Sequence, residues 1–112
     1  VLDVIFRRDS RERLSSVFCS GHVEIAETSS DEYSLVCAAV SAILQAARLG
    51  LEAHVKIPLD VSQRKGELAM RWPQRAREDE RVLAILETAR LAIEQIAAQY
   101  PAHVRFRQES EA

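Results

Sequence analysis

Hydrophobic positions along the chain gather into segments separated by polar turns. Val1, Leu2, Val4, Ile5 and Phe6 supply the β-branched and aromatic residues of a first strand, Val1 to Arg8. The polar run Asp9-Ser10-Arg11-Glu12-Arg13 reads as a turn and Leu14 to Cys19 as a second strand, so the two form a hairpin. Ser20-Gly21-His22 follows, where a glycine permits a bend or a close backbone approach that a Cβ would block. Thr28 to Glu32 is small and polar and reads as a loop or a helix entry. From Ser34 to Leu49 the chain is rich in Ala and Leu and apolar almost all round. That pattern predicts a helix buried on more than one side, with Gly50 as its C-terminal stop.

Ala53 to Leu59 and Gly66 to Trp72 read as two further strands joined by the polar segment Asp60 to Lys65, and Pro73 ends the second. Across Ala76 to Gln99, Val82, Ile85, Leu86, Ala89, Ile93 and Ile96 recur at spacings of three and four, the signature of an amphipathic helix that Pro101 closes. His103 to Gln108 alternates Val104 and Phe106 with His103, Arg105 and Arg107, as a half-exposed last strand would. The order β-β-α-β-β-α-β predicts an α+β fold, a two-layer sandwich of one β-sheet with two helices. A chain of 112 residues has room for one domain, here 1–108, and the polar end 109–112 is expected to be a disordered tail.

Composition narrows the function classes. A net charge of −2 and a pI near 5.9 argue against a direct nucleic-acid partner, since such binders are usually basic. Apart from Lys56 and Lys65 every basic residue is Arg, which leaves local patches suited to acidic groups. No run reads as long and apolar enough to span a bilayer, and no charged-then-apolar leader opens the chain, so no membrane partner is expected. Two cysteines do not make a disulfide framework, and a reducing, cytoplasmic setting is the default.

Cys37 is the first candidate for chemistry. If the helix begins at Ser34, Cys37 lies in its first turn, and a helix N-terminus or a neighbouring cation can bring a thiol pKa of about 8.5 down to roughly 3.5–7.5. The helix dipole contributes about 0.3–1 kcal/mol when exposed and up to ~2 when partly buried. At about 1.4 kcal/mol per pKa unit, that moves the thiol by roughly one unit. A thiolate at neutral pH therefore needs an imidazolium as well, and His22, at the end of a predicted strand, is the natural partner. Such a Cys–His pair activates the sulfur and later protonates the leaving amine, and free N–H groups at the helix start can hold the oxyanion.

Each residue alone has a commoner role, as a buried apolar cysteine or an unpartnered turn histidine. If Ser30 is instead the N-cap, with Asp31 and Glu32 as first-turn acids, Cys37 lies two turns in and the dipole argument weakens. Cys19, His22 and Cys37 make a short and incomplete set of metal ligands, so neither a metal nor a cofactor is expected. A Cys19–Cys37 disulfide would need an oxidising setting. His54 and His103 read as structural or exposed.

Taken together, Gly21-His22 and Leu35-Val36-Cys37-Ala38-Ala39-Val40-Ser41-Ala42 resemble the signature of the ribosomal-processing cysteine proteases known as Prp. The likeness continues through Leu86-Glu87-Thr88-Ala89, Ile93, Ile96-Ala97 and Gln99-Tyr100-Pro101 and spans nearly the whole chain. The resemblance implies a cytoplasmic cysteine endopeptidase, a homodimer, that removes an N-terminal extension from large-subunit ribosomal protein twenty-seven during ribosome assembly. It implies His22 as general base, Cys37 as nucleophile and a mobile loop between them that gates the substrate, a ribosomal protein precursor.

Two positions depart from the family pattern. Ser34 stands where the family usually has Asp three residues before the cysteine, and the segment between His22 and Cys37 is about three residues longer, as the comparison with that pattern implies. Asp31, Glu32 or Ser34 is then expected in a supporting role. The alternative function on the same fold is a non-catalytic interaction module in ribosome assembly.

Overall fold

The computed structural model describes residues 1–21 and 31–111. Strands β1 (Leu2–Arg8) and β2 (Leu14–Ser20) form the expected hairpin. Helix α1 (Asp31–Leu49) leads into a π-helical stretch, Gly50–Val55, then come strands β3 (Asp60–Arg64) and β4 (Glu67–Arg71), helix α2 (Glu80–Gln99) and strand β5 (Val104–Ser110). The strands make one mixed sheet in the order β3-β4-β2-β1-β5, with β5 parallel to β1 and the other neighbours antiparallel. Period-two alternation puts Leu2, Val4 and Phe6 of β1, each fully buried, against the helices. Val17 and Cys19 of β2 and Leu68 and Met70 of β4 join them in one core with Val36, Cys37, Val40 and Leu44 of α1 and Val82, Leu86 and Ile93 of α2.

The hairpin turn is built on one carboxylate. Asp9 Oδ1 accepts from the backbone N–H groups of Arg11 (2.8 Å) and Arg13 (3.1 Å), while Oδ2 accepts from the Arg13 (3.0 Å) and Arg77 (3.1 Å) guanidiniums. Arg77 also reaches the Trp72 carbonyl at 3.2 Å, and the Trp72 indole donates to the Leu14 carbonyl at 2.7 Å. Trp72 is 1% exposed. Turn, β4 and the approach to α2 are thereby tied together at one end of the sheet.

Several expectations need correction. The strand expected at Ala53 to Leu59 is helical as far as Val55, and the segment expected to be a connection, Asp60 to Lys65, carries β3. Leu44, Ala47, Leu51 and Val55 are all buried and recur at spacings of three and four, so core burial carries the helix past Gly50. Gly50 serves packing instead of termination: a Cβ there would lie 3.2 Å from Ile85 Cδ1 of α2. The turn ends where Lys56 adopts φ 63°. β3 is an edge strand, largely exposed, and so needs no hydrophobic alternation.

Helix α2 starts at Glu80 and not Ala76, because Asp79 caps it by accepting from the Arg81 N–H at 2.9 Å. The tail expected from residue 109 is ordered as far as Glu111. β5 runs to Ser110 in register with Arg8, the Glu111 N–H donates to the Arg8 carbonyl at 2.9 Å, and the Glu111 carboxylate is gripped by the Arg71 guanidinium. The chain does contain a helical segment long and apolar enough to cross a membrane, Asp31–Val55, in which an 18-residue window has a mean hydropathy of 1.6. In this fold its buried stripe lies on the sheet as the core helix.

Candidate functional site

Cys37 is the seventh residue of α1. The first turn of a helix leaves its N–H groups unpaired, whereas Cys37 lies beyond that turn, where the N–H bonds back to the residue four before it. The expectation that Cys37 occupies the first turn is thus corrected, and the dipole has little hold on it. The apolar register decides this: Val36, Val40, Leu44 and Ala47 face the core, and Cys37 belongs to the same buried stripe at 4% exposure. His22 lies outside the described residues, as does most of the expected gating loop.

What surrounds the thiol is visible. Tyr33 sits four residues before Cys37, on the same helix face. Its hydroxyl donates to the Gly21 carbonyl at 2.8 Å, one turn before the Cys37 thiol on the same helix face. The Tyr33 ring packs edge-on against His103 (centroids 5.5 Å apart, 68° between planes), and His103 Nε2 lies 2.7 Å from Glu32 Oε2. Gly21, which precedes His22, adopts φ 88°. The end of β2 and the first turn of α1 therefore meet at one hydroxyl.

Burial pushes the Cys37 thiol above its ordinary value, and the Tyr33 hydrogen bond works in the opposite direction. Burial, the bond to Cys37 and nearby negative charge push the Tyr33 phenol up to about 12, so it is a protonated donor at neutral pH. Cys19, on β2 in the same core, is pushed up to about 12, first by burial and then by Cys37 and Asp3. Both cysteines are free thiols.

The supporting candidates separate. Ser34 lies three residues before Cys37, on the neighbouring helix face, and is half-buried. Asp31 is exposed at the first position of α1, about 240° round the helix from Cys37 at 100° per residue. Tyr33 and His103 were not among the expected site residues. Tyr33 has a signal, the i to i+4 spacing to Cys37, that becomes readable once the helix is started at Asp31.

The family model described as cysteine protease Prp matches residues 1–105, which makes the protein a cysteine protease. The chain belongs to the Prp family of these enzymes. Its fold is similar to that of SMU.848 from Streptococcus mutans, with a TM-score of 0.83, 23% identity and 99% of each chain covered. It is also similar to the essential ribosomal processing protease Prp from S. aureus in complex with a substrate peptide, with a TM-score of 0.83, 17% identity, and 96% of this chain and 99% of that one covered. The same S. aureus protease with a covalently linked product peptide gives a TM-score of 0.80 at 17% identity, with the same coverage. At these identities the solved structures speak for the fold. No curated protein matches the chain.

Proposed function

We propose that this cysteine protease is a ribosomal-processing endopeptidase that removes the N-terminal extension of large-subunit ribosomal protein twenty-seven. In this reading the Cys37 thiolate attacks the scissile carbonyl and His22 takes the thiol proton and returns it to the leaving amine. Water then releases the acyl-enzyme. Ser34, one turn before the sulfur, is the supporting side chain, and Asp31 complements the positive end of α1. The observation that carries the reading is the family match over residues 1–105, which includes both the Gly21-His22 step and the Cys37 helix. Further support comes from the Tyr33 hydroxyl, which holds the Gly21 carbonyl at 2.8 Å one turn before Cys37.

The environment of the described residues raises the thiol pKa, so the histidine has to supply the activation. The test is cleavage of a peptide spanning the extension. Cys37→Ala and His22→Ala are each expected to abolish it, and a Cys37→Ala protein that still cuts would overturn the assignment.

We place the enzyme in the cytoplasm and read it as a homodimer. Free buried thiols support the first. Support for the second comes from an apolar groove of about 470 Å³ between α1 and α2, lined by Ile43, Ala46, Ile85 and Ala89. Leu49 on α1 and Leu91 on α2 are exposed. Light scattering that returned a monomer mass at micromolar concentration would refute the dimer.

A further inference from the structure

Tyr33 stands where the chain could hold a thiol and a histidine in register. Its hydroxyl donates to the Gly21 carbonyl, 2.8 Å away on the residue before His22, and its side chain lies one turn before Cys37 on the same face of α1, where it works to lower the thiol pKa. The ring that carries it is fixed from the other side by His103, itself held at 2.7 Å by Glu32. The Gly21 backbone packs closely against the Val1 carbonyl oxygen, which an added Cβ would approach to 2.3 Å.

We propose that Tyr33 is a positioning residue of the peptidase site, whose hydroxyl ties the backbone that enters His22 to the Cys37 sulfur and stabilises the thiolate. The proposal rests on the reading of Cys37 as nucleophile. A phenol has one proton to donate. With the thiol protonated, that proton goes to the Gly21 carbonyl and the oxygen accepts from S–H. Once the sulfur ionises it is the stronger acceptor, since bonds to an ionised partner are roughly twice as strong as neutral ones, and the O–H turns towards it. Tyr33 keeps its own proton throughout, since its pKa of about 12 lies well above neutrality. The bond to Gly21 therefore orders the resting site, and the bond to sulfur favours the reactive form.

The experiment compares wild type with Tyr33→Phe, which keeps the ring and its packing against His103. Two quantities are read: the pH dependence of Cys37 alkylation by iodoacetamide, mapped by mass spectrometry, and kcat and KM on the extension peptide. Tyr33→Phe is expected to raise the Cys37 pKa by about one unit, about a tenfold loss of thiolate at pH well below that pKa, and to lower kcat there by about tenfold with KM within a factor of two. A ring-fluorinated tyrosine at position 33, a stronger donor, is expected to shift the alkylation profile the other way. If neither substitution moves the thiol profile, the proposal is wrong, whatever happens to Tm. The two readings also fail separately: a wild-type protein that cuts no peptide, yet shows both alkylation shifts, upholds the tie between Tyr33 and the sulfur and overturns the peptidase reading.

Discussion

A Cβ added to Gly21 would lie 2.3 Å from the backbone carbonyl oxygen of Val1, closer than real Cβ contacts come. Gly21 also holds φ 88°, in the region where L side chains are strained. The first residue of the chain and the residue before His22 are thus packed backbone to backbone. Gly21→Ala is expected to cost about 1–3 kcal/mol of stability from the strained conformation, before the steric clash is counted. It should also lower peptide cleavage beyond what that loss explains, because relieving the clash moves the backbone that leads to His22. Urea unfolding and cleavage rates check this, and an alanine variant as stable as wild type would refute the close approach.

The two thiols should differ in reactivity. In a His22→Ala protein the imidazole's contribution is gone, and burial, the largest influence on the Cys37 ionisation, prevails over Tyr33. Its alkylation rate should then climb about tenfold per pH unit and keep rising past the ordinary thiol pKa of about 8.5. Wild type should level off at lower pH. Cys19, held near 12 by burial, by Cys37 and by Asp3, should stay unmodified in both until the protein is denatured. Mass spectrometry of the labelled peptides decides between the sites.

Trp72 anchors the far end of the sheet, and two variants separate its roles. Trp72→Ala should cost about 3–5 kcal/mol, as expected for emptying a fully buried aromatic site. Trp72→Phe keeps much of the packing but leaves the Leu14 carbonyl without its indole donor, a loss of about 1–3 kcal/mol. Denaturant midpoints at constant m-value measure both.

Asp9 should make the protein sensitive to acid. Burial opposes its charge, but the Arg13 and Arg11 N–H groups and the Arg77 and Arg13 guanidiniums outweigh it and hold the carboxyl at about 2, below its ordinary 3.8. A carboxyl held low contributes stability that is fully present above pH 3.8 and is lost as the pH falls towards 2. Wild type should therefore lose stability more steeply than Asp9→Asn across that window. Equal slopes in denaturant titrations at each pH would count against the Asp9 cluster.

A helix whose inward positions repeat every three to four residues, such as Val82, Leu86, Ala89 and Ile93 of α2, carries its own instructions and was legible. So were the hairpin of β1 and β2 and the strand β4, because local alternation and a turn-forming run suffice for them. The family was legible from the Gly21-His22 step and the Cys37 helix taken together.

Other features depended on residues distant in the chain. β3 has no hydrophobic alternation of its own, and it is a strand because β4 offers it an unpaired edge, Asp60 to Arg71 through Arg64 to Glu67. Residues 109 and 110 are ordered by the parallel ladder to Arg7 and Arg8, about a hundred positions earlier in the chain. The helix passes through Gly50 because Leu51 and Val55 find the core beyond it, a gain that outweighs a glycine's local cost.

The thiol divides in the same way. The sequence by itself determined that a cysteine would sit on an Ala-rich helix downstream of a Gly-His step. Tertiary structure alone decided that the cysteine would be buried two turns in, out of reach of the helix dipole, with a tyrosine hydroxyl between it and Gly21. Periodicity and motif act between neighbours in the chain. The burial and hydrogen bonding that set a pKa act between neighbours in space, and those are settled only when the sheet and α1 close on each other.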